Sequence, residues 1–217
     1  MSIAYLQRQL ESIYQVSLDH EVDDFLISDP ELAACLDTSD NARMPPEKLL
    51  VQQQGEDLDL SLYIQQEVLQ HLDDYHPNDE LNDGNLKSFC IALEGVSHFL
   101  YLIWNASQER SVTLMEMELQ AEVDKYVSIL ALFDQQGEND RWRELHNWLF
   151  EDTTFADDLN EEQLVRYRDA NRFAAKYCDS LDTKYLRHDD TDAMYDELRL
   201  FYRQPQGEKL RMINYPH

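Results

Sequence analysis

Glu94 and His98 stand four residues apart in an otherwise apolar stretch. With Lys87, Tyr101 and Asn105 they form a polar stripe at helical steps. Further along, Glu118 and Glu122 repeat the four-residue step, with Glu116 and Lys125 beside them. Carboxylates are hard oxygen ligands and imidazole adds a nitrogen donor, so two antiparallel helices turning these groups inward can hold divalent metal ions. Glu94, His98, Glu118 and Glu122 are the candidate ligands. The spacing argues partly against this. Di-metal bundles use paired Glu-x-x-His steps, whereas Glu94-x-x-x-His98 suits a hydrogen-bonded pair within one helix. The simpler expectation is a buried Glu–His–Tyr network that orients two helices without any cofactor; a divalent metal is the alternative.

A second constellation is basic. Arg168, Arg172 and Lys176 fall at i, i+4 and i+8, with Arg166 close by, and such a stripe can grip phosphate. Asp169 and Asp179 interleave with it, so internal pairing or a solvated face is the plainer reading. A third is aromatic: Trp142, Leu145 and Leu149 share one helical face and read as core. Trp148 lies on another face, as a second core contact or a partner anchor. The candidate binding residues are thus Glu94, His98, Tyr101, Asn105, Trp148, Arg168, Arg172 and Lys176.

Other chemistries find little support. The five glycines are scattered singly, which excludes a phosphate-cradling loop, a dinucleotide fingerprint and a nucleophile elbow. His20, His71, His76, His188 and His217 sit in polar or terminal contexts and nominate no triad. The acidic runs 19–24 and 151–158 lack the spacing and glycine of a calcium loop. Cys35, Cys90 and Cys178 are far apart and read as reduced core thiols.

The elements that must position these groups follow from apolar periodicity. Ile3, Leu6, Leu10 and Ile13 predict a first helix, and Asp29-Pro30 starts a second. Residues 37–46 read as a loop. Between 48 and 64 the period changes to two: Leu58, Leu60, Leu62 and Ile64 alternate with Asp57, Asp59, Ser61 and Tyr63. With Leu49–Val51 before it and a turn at 54–56, this predicts a β-hairpin, to which residues 210–213 could add a third strand. Helices are then expected over about 65–75, 85–106, 111–133, around Trp142–Leu149, from Asn160 past Tyr177, and over 191–202. The short link 107–110 makes the two long helices antiparallel, with Leu93, Val96, Leu100, Leu119, Val123 and Val127 between them. The expected fold is mainly α: a single helical domain over 1–217 built on an antiparallel helix hairpin. Residues 1–64 give N-terminal helices and a small β-hairpin, and 65–217 a helical bundle.

Charge bounds the function. Residues 1–160 hold 8 Lys and Arg against 33 Asp and Glu, whereas residues 161–217 hold 10 against 11. Such a body repels nucleic acid and anionic membranes and attracts basic partners or cations. No signal peptide is read at the N-terminus, and no apolar run reaches membrane-spanning length, so a cytoplasmic location without membrane contact is expected. The expectation is an acidic interaction or accessory protein that binds a basic protein partner and performs no catalysis. The alternatives are a helical-bundle metalloprotein, a nucleic-acid mimic or a maturation chaperone for a redox enzyme. The sequence leaves the oligomeric state open.

Overall fold

The computed structural model describes residues 2–38, 44–54, 57–151 and 159–215. Helix α1 (Ile3–Tyr14) leads through a 3-10 turn to the two-residue strand β1 (Leu26–Ile27) and helix α2 (Pro30–Leu36). Strands β2 (Glu47–Gln54) and β3 (Asp57–Ile64) follow, then α3 (Gln66–Asp74), α4 (Leu86–Ser107), α5 (Leu114–Gln136), α6 (Trp142–His146), α7 (Glu161–Lys184), α8 (Thr191–Tyr202) and α9 (Gln206–Asn214).

Local chemistry sets the boundaries. Asp29 accepts from the backbone N–H groups of Glu31 and Leu32 to start α2, and Thr113 accepts from Glu116 N–H to start α5. Gly137, at φ 73°, supplies the left-handed residue that ends α5. Asn160 and Gln163 close a reciprocal capping box on α7.

β2 and β3 pair antiparallel with Glu47 opposite Ile64 and Leu49 opposite Leu62. The third strand is β1, parallel to β3 on its other edge, and not the C-terminal segment. Residues 210–213 lie in α9, whose Ile213 reaches the core once per helical repeat. The four-residue apolar run Leu210–Ile213 fits either state, and periodicity alone does not separate them. The helix around Trp142 is also altered: α6 ends at His146 and continues as a π-helical turn over Asn147–Glu151, which still buries Leu145 and Leu149.

α4 and α5 form the central antiparallel pair, and Leu93, Val96, Leu100, Leu119, Val123 and Val127 are all buried between their neighbours. The sheet packs on α4, α7 on α5, and α1 touches α4 and α8. One contiguous apolar core runs from Ile3 to Ile213 and takes in Leu62 and Ile64 of the hairpin. Contrary to the sequence reading, α4 is 22 residues long and contains an 18-residue window of mean hydropathy 1.4, enough by length and composition to cross a membrane. Within the fold, 61% of that apolar window is buried by other elements. Of the cysteines, Cys178 is buried and Cys90 half-buried, but Cys35 is exposed and not part of the core. The turn at 55–56, most of the acidic run 151–158, and His217 lie outside the described residues.

Candidate metal centre

Four elements converge on one buried polar cluster. α4 presents Cys90, Glu94 and His98 at successive four-residue steps, and α5 presents Glu118, Glu122 and Lys125 on the facing side. The start of β2 brings in Glu47, and α7 brings in Arg166 and Tyr167. Gly95 permits the close approach of the hairpin to α4. A Cβ there would stand 2.9 Å from Leu62 Cδ1 and 3.1 Å from Glu47 Oε2, so both side-chain ends would have to shift to admit it.

The imidazole is the hub. His98 Nε2 lies 3.5 Å from Glu118 Oε2, and Nδ1 lies 4.0 Å from Glu47 Oε2. Arg166 Nε stands 3.5 Å from the other Glu118 oxygen. Glu94 pairs with Lys125, whose ammonium reaches Glu94 Oε2 at 2.6 Å and Glu122 Oε1 at 2.8 Å. The side chains of His98 and Glu118 are each only 9% exposed. One donor atom from each of Glu94, His98 and Glu118 lies within 4.8 Å of the others.

The electrostatics match this crowding. Burial alone would pull the His98 imidazole down, but Glu118, Glu47 and Glu94 push it up to about 9. Burial, reinforced by Glu94, drives the Glu47 carboxyl well above its usual range. Burial also opposes ionisation of Glu94, yet Lys125 and then His98 hold that carboxyl below the usual range. Burial raises Glu122 against the pull of Lys125.

Three polar atoms of the cluster, His98 Nε2, Glu47 Oε2 and Arg166 Nε, are buried without a hydrogen bond of proper geometry. Buried polar groups are nearly always paired, so this concentration marks spare bonding capacity. The cluster holds the carboxyl groups of Glu47, Glu94, Glu118 and Glu122 with the two fixed cations Lys125 and Arg166 and, below about pH 9, a protonated His98 whose proton a bound ion would displace. An imidazole nitrogen with two or three carboxylate oxygens is a donor set for Zn²⁺, Mn²⁺ or Fe²⁺, and the residues present fit such an ion. Glu94, His98 and Glu118 would hold it, Glu47 would close the side facing the hairpin, and Arg166 would brace Glu118.

The other sequence candidates lie elsewhere. The Tyr101 hydroxyl donates to Glu116 Oε1 at 2.6 Å, and Asn105 donates to the Tyr101 carbonyl at 2.8 Å, so both belong to a separate network. Glu122 stands at the edge, tied to Lys125. Trp148 is half-buried and packs with Leu81, Leu86 and Phe133 around a notch of about 110 Å³. Arg168, Arg172 and Lys176 face solvent; Arg172 pairs with Asp169 at 2.9 Å and Lys176 bonds Asn214 at 2.9 Å. A cleft of about 560 Å³ between α6 and α7 contains Arg143 and Asp182, but these already bond Asp140 and Tyr126.

Three members, Glu47, Arg166 and Tyr167, were not assigned to this site from sequence. Arg166 was legible, because two residues before Arg168 it sits about 200° round the helix, opposite the exposed stripe. Glu47 was not, since nothing in a single acidic residue at a strand start points to a helix far along the chain. Comparison with protein families, curated proteins and solved structures finds no match for this chain.

Proposed function

We propose that this protein binds one divalent first-row transition-metal ion in the cluster of Glu94, His98 and Glu118, with Glu47 closing it, and that the ion ties the hairpin to the α4–α5 pair. The observation that carries this reading is a nine-tenths-buried imidazole, flanked by carboxylates, with a nitrogen left without a proper hydrogen bond. The enclosed setting favours a binding or structural role over catalysis, because catalytic centres keep a position open to substrate.

The test is equilibrium dialysis of the full chain against Zn²⁺ and Mn²⁺, followed by metal analysis. One equivalent of ion is expected, and H98A and E118Q should each weaken binding by at least about 100-fold, more than loss of an outer partner costs. Absence of stoichiometric uptake, or uptake unchanged in both variants, contradicts the reading.

The charge distribution favours a second activity, binding of a basic protein partner. An exposed Tyr75 is surrounded in sequence by exposed Asp73, Asp74, Asp79, Glu80 and Asp83, a surface suited to a cationic partner. Association with that partner should slow as salt rises, and a rate independent of salt contradicts it.

A further inference from the structure

Lys125 is the one ammonium that reaches into the cluster among the described residues, and it does so from within. It is nearly buried, with its side chain 11% exposed, and it makes the two shortest ion pairs there, to Glu94 and Glu122. Glu94 is therefore engaged on one oxygen by a cation of the protein's own, while His98 and Glu118 meet only at a long 3.5 Å. Two roles are open to such a lysine. It can orient Glu94 for an incoming ion, or it can occupy the charge position that the ion would take.

Coulomb interaction decides between them. In a closed site of low effective dielectric, a fixed positive charge one carboxylate away repels a dication far more strongly than in water. The orienting benefit, by contrast, concerns one ligand of several, because His98, Glu118 and Glu47 are placed by their own elements, and the ion pairs of Lys125 go to Glu94 and Glu122.

Resting on the metal-binding reading above, we infer that Lys125 is an internal competitor of the metal ion. It satisfies Glu94 and Glu122 when no ion is bound, and gives Glu94 up when one arrives. The site is then exchangeable: the fold stands in a lysine-held state, and the ion is taken up and released against a charge already in place. Such an arrangement suits buffering, transfer or sensing of the ion better than permanent structural retention.

The test is a Zn²⁺ titration of wild type, K125M and K125R against a chelating indicator. K125M keeps the stem and removes the charge, so it should bind about tenfold tighter or more, whereas K125R, which keeps the charge, should stay within about threefold of wild type. Equal or weaker binding by K125M, with wild type binding normally, overturns the inference and makes Lys125 an orienting group. Absence of binding in both wild type and K125M instead overturns the metal reading itself. Removing Lys125 leaves Glu94 and Glu122 without their cation, so K125M/E122Q is measured against E122Q alone where K125M does not fold. The double variant should again bind more tightly than its reference, and an unchanged or weaker affinity overturns the inference.

Discussion

Two polar networks are buried along the α4–α5 pair, one on each side, and they are built on opposite principles. On the side of α1, α8 and α9, Asp124 receives hydrogen bonds from Tyr14 at 2.5 Å, Ser97 at 2.6 Å and Gln120 at 2.7 Å. Lys209 is fully buried there, donates to Gln120 at 2.5 Å, and rests over the ring of Tyr101 at 4.3 Å. On the hairpin side Lys125 holds Glu94 and Glu122 at 2.6 and 2.8 Å, but His98 and Arg166 meet their carboxylates only at 3.5–4.0 Å, with three polar atoms around the imidazole unbonded. Short, closed contacts fix geometry and leave nothing for a ligand. Long contacts around one imidazole leave bonding capacity that an ion could take up. The first network is architecture and the second is a site.

The contrast can be broken by substitution. Asp124→Ala strands three donors in the core and should cost about 3–5 kcal/mol by urea denaturation. Metal uptake, measured on whatever fraction remains folded, should be unaffected. A loss below that of His98→Ala would reverse the assignment of the two networks.

Proton linkage gives Lys209 on one side and His98 on the other opposite signs. Burial lowers the Lys209 ammonium to about 7, opposed by Glu116 and Asp124. Between about 7 and 10.5 the unfolded chain then carries a proton that the native state lacks, so this residue's contribution makes stability rise with pH. His98 acts the other way: its raised value of about 9 adds stability below the ordinary imidazole range that is lost as pH rises through 9. Subtracting the pH profile of Lys209→Met from that of wild type isolates Lys209. The difference should grow more favourable to wild type from pH 7 to 10, by on the order of a few kcal/mol. A flat difference would mean that Lys209 is charged throughout and fully compensated.

The smallest expected effect is at Glu47. Its carboxyl is driven well above the usual range, so the neutral amide resembles the form it holds near neutrality, and E47Q should change stability by no more than about 0.5 kcal/mol. A large loss would show Glu47 to be a structural anion paired with His98 and not a spare ligand.

Much of this was legible in the residues. The four-residue steps of α4 and α5, the alternation of β3 and the caps at Asp29, Thr113 and Asn160 each carry a local signal, and each element formed where that signal lies. What escaped is non-local. Tyr101 lies on the same stripe as His98, yet three further residues of helix turn it toward Glu116 and Lys209 of α9, and Asn105 bonds back to the Tyr101 carbonyl. The third strand of the sheet is only two residues, too short for any period. Glu47 enters the site through a hairpin register and a glycine on another element, a contact that no spacing encodes.

X-ray absorption at the zinc edge of the Zn²⁺-loaded full chain reads out the ligand set itself. One ion per chain is expected, ligated by nitrogen and oxygen only, with a single-imidazole scattering signature that disappears in His98→Ala. Sulfur ligation, or an imidazole signature that survives the loss of His98, would contradict it.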